Sequence, residues 1–172
     1  MSREMEALRY GILALQREGQ RQLAHLLQPL GLTPSQAEVV RVVADFGPVH
    51  IRRLGGLLVC EAGSPWRLVD SLVRKDILTK QVDPDDVRRT LISLSPDGIL
   101  AAARLTEIEE EFYRLFAQRL PAVPAACTEV IGRLLTDTPA GRALARRGLM
   151  PGADAEPHVR RGPSAAPDDT AS

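Results

Sequence analysis

AGSPWRLVDSLVRKDILTKQVDPDDVRRTLISL, residues 62–94, decides how this chain is read. Ser64-Pro65 opens a helix. A serine at the N-cap can accept a hydrogen bond from an orphan backbone N–H, and a proline at the first helical position has no donor to lose. Leu68, Leu72 and either Val69 or Val73 recur at helical spacing as an apolar stripe. Trp66, Arg67, Asp70, Ser71 and Arg74 are left for the other faces. A strand from Ile77 to Val82 follows almost at once. Asp83-Pro84-Asp85-Asp86 is a strong turn signal, and Thr90 to Leu94 alternates as a returning strand. An exposed helix beside a hairpin with two arginines near its tip is the shape of a winged helix-turn-helix. That shape can set a helix in a DNA major groove and arginines in the adjacent minor groove.

The helices around this unit announce themselves by their stops and starts. Residues 3–28 fit one long helix through Met5, Leu8, Ile12, Leu15, Leu23 and Leu26, ended by Pro29-Leu30-Gly31. Thr33-Pro34-Ser35-Gln36 opens a second as a capping box: Thr33 caps, and Gln36 can reach back. Val39, Val40 and Val43 continue its apolar face until Phe46-Gly47-Pro48. Val49-His50 reads as a short extended piece, and residues 51–60 as a third helix. Gly55 and Gly56 each cost that helix about 1 kcal/mol relative to alanine. Ser95-Pro96 starts another long helix with Ile99, Ala103, Ile108, Phe112, Leu115 and Phe116 as its apolar face, broken at Pro121 and Pro124. A helix over 124–136 and a short piece from Thr138-Pro139 complete the ordered part.

Composition narrows the classes. The chain has 172 residues, 44% of them hydrophobic but only 3% aromatic, so its core must be built from Leu, Val, Ile and Ala. Lys and Arg number 22, as do Asp and Glu, giving zero formal net charge. Between residues 50 and 95, eight basic side chains meet six acidic ones. Any nucleic-acid site therefore depends on geometry to gather its charge. The charged N-terminus and the lack of a membrane-length apolar run predict a soluble, cytoplasmic protein. Cys60 and Cys127 lie far apart and form no CxxC pair, which argues against a disulfide framework.

Taken together, LTPSQAEVVRVVADFGPVHIRRLGGLL, GSPWRLVDSLVRKDIL and DPDDVRRTLISLSPDG resemble the multiple-antibiotic-resistance regulator (MarR) family. The last segment is similar to that family's wing signature, here Asp86-Val87-Arg88 followed by Leu94-Ser95-Pro96-Asp97-Gly98. The resemblance spans roughly residues 5–136. It implies a mainly α (α+β) fold with a winged helix-turn-helix lobe and long dimerisation helices. Residues 1–148 are expected to form one domain, with 33–95 as the lobe, 3–30 and 96–148 as the dimerisation helices, and 149–172 as a disordered tail. It also implies a homodimer on a pseudo-palindromic DNA operator, and for many relatives repression relieved by a small phenolic ligand or thiol oxidation. Two departures stand out: Trp66 where the family usually has a small polar residue, and a proline-interrupted last helical region.

The expected DNA-contacting residues are Ser64, Pro65, Trp66, Arg67, Ser71 and Arg74 on the recognition helix, with Arg88 and Arg89 on the wing. Arg67 would meet guanine or phosphate, the hydroxyls phosphate, and Trp66 a sugar or thymine methyl. The plainer alternatives are an Arg67–Asp70 salt bridge and a Trp66 packed against a neighbouring helix or hairpin. Asp86 is expected to orient Arg88. Cys60, just before the recognition helix, is a candidate redox sensor or else a small buried side chain, and Glu61 beside it disfavours a thiolate. His25, His50 and His158 are scattered without ligand spacing, so no metal is expected. The chain lacks HExxH, P-loop, GxGxxG and GxSxG motifs, and no enzyme or cofactor is expected. A winged-helix protein-interaction module without DNA binding is the rival reading, supported by the zero net charge.

Overall fold

In a computed structural model, which describes residues 2–60, 64–120, 122 and 125–150, the chain is a three-stranded sheet set among helices. The elements run α1 (Arg3–Leu26), α2 (Pro34–Phe46), β1 (Val49–His50), α3 (Ile51–Leu57), α4 (Pro65–Val73), β2 (Leu78–Val82), β3 (Thr90–Leu94), α5 (Pro96–Arg119), α6 (Ala125–Leu134) and α7 (Pro139–Arg146). A 3-10 turn, Gln28–Leu30, joins α1 to α2 and ends at Gly31, whose φ of 61° is left-handed.

The sheet order is β1-β3-β2, antiparallel throughout. Val49 pairs with Ile92 and Leu78 with Leu94, which points the apolar alternates of all three strands inward. The core lies between α2, α3, α4, the sheet and the first half of α5. Val39, Val40, Val42, Phe46, Leu54, Leu57, Val69, Leu72, Ile92 and Leu105 are all buried in it.

Local chemistry sets most element boundaries. The capping box at Thr33 is fully formed: its hydroxyl accepts from the Gln36 N–H at 3.2 Å, and Gln36 Oε1 accepts from the Thr33 N–H at 3.0 Å. Ser95 caps α5 by accepting from the Gly98 N–H at 2.9 Å, and its hydroxyl donates to the Asp76 carbonyl. A Cβ on Gly98 would lie 2.0 Å from the Ile77 carbonyl oxygen, so glycine is required where the helix leaves the sheet.

Four expectations are corrected. Helix α3 stops at Leu57 rather than continuing to residue 60, because the amides of Val59 and Cys60 are taken by the Glu38 carboxylate instead of by a further turn. Ser64 is the N-cap of α4, but its side chain makes no capping bond; its carbonyl accepts the Arg67 N–H at 2.9 Å. β2 begins at Leu78 rather than Ile77. The buried face of α5 is Gly98, Ala102, Leu105 and Ile108, whereas Ile99 and Ala103 are exposed. The expected tail lies, apart from Leu149 and Met150, outside the described residues.

Helix α1 has no buried residue. Its apolar side chains Met5, Leu8, Ile12 and Leu15 are exposed, as are Leu115 and Leu120 at the far end of α5 or just past it, and Val130, Ile131 and Leu134 on α6. No described helix is long and apolar enough to cross a membrane.

Candidate nucleic-acid interface

Helix α4, the expected recognition helix, is carried by α2. Leu72 and Val69 anchor it in the core, with Leu68 and Val73 packed at the margins. Ser71, expected on an outward face, is turned inward. Its hydroxyl accepts from Gln36 Nε2 at 2.9 Å and donates to the Leu68 carbonyl at 2.8 Å, so it fixes α4 to α2. Gln36 thus serves both the cap of α2 and the seat of α4. Lys75, just past α4, closes the same junction by donating to the Gly31 carbonyl and, at 3.3 Å, to Gln36.

The outward side of α4 carries Ser64, Trp66, Arg67 and Arg74, all exposed, with Pro65 half-buried. The Arg67–Asp70 salt bridge does not form. Asp70 pairs instead with Lys80 of β2, and the Lys80 ammonium sits 5.0 Å from the Trp66 ring centroid. Trp66 therefore packs against the hairpin on one side while remaining 41% exposed.

The wing is closed by its own turn. Asp83 is buried, accepts the Asp85 N–H at 2.9 Å, and meets His50 Nε2 at 3.2 Å. His50 begins α3, so this contact pins the base of the wing to the start of that helix. The imidazole Nδ1 is buried without a hydrogen-bond partner. Asp86 acts differently from expectation: its carboxylate pairs with the Arg89 side chain at 2.9 Å, and it takes the backbone N–H of Arg88 at 3.1 Å. The Arg88 side chain is left exposed. Among the described residues, the guanidinium groups of Arg52, Arg67, Arg74 and Arg88 have no salt-bridge partner.

These elements enclose a groove of about 650 Å³ between the wing, the start of α3 and the start of α4. Arg52, Arg53, Arg88, Arg89 and Arg146 line it together with Trp66, and among the described residues no carboxylate does. The fold thus gathers five guanidinium groups in a chain of zero net charge. Arg52, Arg53 and Arg146 were not singled out from the sequence. Their only signal was the basic pair at 52–53, which becomes part of the site because β1 and α3 meet the wing base.

A second crevice, about 750 Å³, lies between α1, α2 and α5, lined by Gln16, Gln20, Arg41, Cys60, Glu109 and Arg147 among others. Arg41 spans it, bonded to Glu109 at 2.6 Å and to Thr106 at 2.9 Å. On the same helix, desolvation pushes the Tyr113 phenol above its usual range. Glu109 adds to that shift, while Arg41 and Arg147 oppose it. Cys60 is half-buried at the edge of this crevice. Among the described residues, no group of three His, Cys, Asp or Glu side chains is placed to hold a metal ion.

Residues 32–98 match the family described as a winged helix DNA-binding domain. This part of the chain has the winged helix fold. The solved structures extend the likeness to about three quarters of the chain. The structure of a mutant MarR from E. coli complexed with operator DNA superimposes with a TM-score of 0.64 at 23% identity, covering 77% of this chain and 96% of that one. A probable transcriptional regulator from Pseudomonas aeruginosa gives 0.56 at 27% identity, covering 72% and 93%. A putative MarR-like transcription regulator from Bacillus cereus gives 0.63 at 17%, covering 78% and 94%. No curated protein matches by sequence. The winged helix is therefore set, as the resemblance implied, in the fold of MarR-family transcription regulators, with α1 and α5–α7 outside the matched domain.

Proposed function

We propose that this chain is a cytoplasmic, homodimeric, DNA-binding transcriptional regulator of the MarR type that acts as a repressor. The observation that carries the proposal is the arginine groove. Five guanidinium groups converge, with no carboxylate among the described lining residues, beside an exposed recognition helix, a charge distribution that suits a phosphodiester backbone. Helix α4 enters the major groove by its N-terminal end, where Trp66 and Arg67 face base edges and Ser64 and Arg74 face the backbone. Arg88 reaches the flanking minor groove, Asp86 holds Arg89 beside it, and Arg52 and Arg53 meet phosphates.

The exposed apolar side chains of α1, α5 and α6 supply the dimer interface, and two-fold symmetry then calls for a pseudo-palindromic operator. The crevice beneath the lobe is the place for a small effector. The rival reading, a protein-interaction module, draws on zero net charge; the gathering of five arginines in one groove favours DNA instead. Selection of duplexes from a random library by the full-length protein tests the function. Enrichment of inverted repeats is expected, and a library that stays random after several rounds would overturn it.

A further inference from the structure

Glu38 lies on α2 and lines the second crevice rather than the arginine groove, and its two carboxylate oxygens are both used. Oε1 accepts the Val59 N–H at 2.8 Å and Oε2 accepts the Cys60 N–H at 2.9 Å. These amides belong to the segment that leaves α3 and leads into the recognition helix. A carboxylate 21 residues back in sequence thus plays the part that another helical turn would otherwise play.

Arg147, the C-cap of α7, pairs with Oε1 of the same carboxylate at 2.9 Å, and the two side chains are only 14% and 17% exposed. Arg146, one residue earlier, donates to the Gly56 carbonyl at 3.2 Å. A Cβ on Gly56 would come within 2.5 Å of that guanidinium, so glycine opens the approach. Helix α7 is therefore tied directly to α3 through Arg146 and Gly56, and indirectly to the segment after α3 through Arg147 and Glu38.

We propose that Glu38, locked by Arg147, is a positioning residue for DNA recognition, and that α7 is a strut holding the entry of the recognition helix at its reading angle. The inference rests on the DNA-binding reading above. Arg147 sets the Glu38 carboxylate, Glu38 sets the backbone at residues 59 and 60 and so the end of α3, and α3 packs against the start of α4, where Gly55 faces Pro65. Loosening the strut costs sequence reading more than it costs phosphate attraction, because the His50–Asp83 pair still pins the base of the wing and Asp86 still holds Arg89.

Full-length parent, Glu38→Gln, Arg147→Met, the double variant and Arg147→Lys are compared in two assays. Amide hydrogen exchange at Val59 and Cys60 is measured without DNA. Affinity is measured for the best duplex selected by the parent and for a shuffled duplex of the same composition. Glu38→Gln can accept through one oxygen only. It and Arg147→Met should each speed exchange at the two amides by about tenfold, as expected for losing a charge-assisted bond. Each should weaken the selected duplex by about tenfold while leaving the shuffled duplex within about twofold. The double variant should add little, since the two act as a unit. Arg147→Lys, which keeps a cation but not the planar fork, should recover much of both effects. Unchanged exchange, or equal loss on both duplexes, would overturn the proposal. If the parent prefers no duplex at all, the DNA-binding reading fails and this role for Glu38 fails with it, while the exchange data still report whether the strut exists.

Discussion

The Lys80 ammonium lies 5.0 Å from the centroid of the Trp66 ring and pairs with Asp70. One side chain of the wing strand thus touches the recognition helix at two positions a turn apart, and the two reading elements are joined. Trp66 is the chain's single tryptophan, so its fluorescence reports on this junction. Saturating duplex DNA should shield the indole from acrylamide, and Lys80→Met should make it more quenchable in the free protein. The substitution should cost less than about 1 kcal/mol of stability, because cation–π pairs and ion pairs at exposed sites are weak. Quenching that DNA leaves unchanged would remove Trp66 from the interface.

Full-length protein should sediment as a dimer at micromolar concentration. The reason is α1, which buries no residue within its own chain while exposing Met5, Leu8, Ile12 and Leu15. Replacing Ile12 and Leu15 together by glutamate should give a monomer, whereas truncation after Ile92 should also unfold the lobe, since it removes Leu105 and Ile108 from the core. A stable full-length monomer would contradict the dimer and, with it, the palindromic operator.

Cys60 follows the end of α3, its amide on Glu38 and its side chain at the crevice edge. If its oxidation moves that segment, mild peroxide should release the parent from DNA and leave Cys60→Ser bound. Equal responses in both proteins would assign Cys60 a packing role.

Tyr113 carries a phenol raised above 10.0, chiefly by desolvation. The folded chain then keeps this proton at a pH where the unfolded chain has lost it. The related stability is complete below about pH 10 and falls as the pH rises through that value towards the folded one. The slope should be shallow, since the ring is 62% exposed. Alkaline melting of the parent should decline more than that of Tyr113→Phe; parallel curves would contradict it.

The parts of this fold that were legible in the sequence are those governed by neighbours along the chain. The Thr33–Gln36 box, the proline-led starts at 34, 65, 96 and 139, and the Asp83–Asp86 turn all depend on residues within a few positions. The misread features depend on distant partners. Helix α3 ends early because Glu38 reaches across to Val59 and Cys60. Ser71 faces inward because Gln36 is there to meet it. Ile99 and Ala103 are as apolar as Ala102 and Leu105, so spacing alone did not show which pair faces the lobe. Within the site, the recognition helix and wing were visible as a pattern. The contribution of Arg52, Arg53 and Arg146 was not, because three separate segments supply it and only the tertiary fold brings them to one groove.

The central claim is that the arginine groove binds DNA through its unpaired guanidinium groups, and salt dependence tests it most directly. Affinity for the selected duplex is measured from low to moderate salt with the parent, Arg88→Ala and the Arg52→Ala/Arg88→Ala double variant. Both side chains are exposed and leave no cavity, so stability should change by less than about 0.5 kcal/mol. Each lost phosphate contact should flatten the plot of log affinity against log salt by about 0.9, and a dimer loses each contact twice. The account predicts a weaker and progressively flatter response from parent to single to double variant. A folded double variant with the parent's affinity and slope would contradict it.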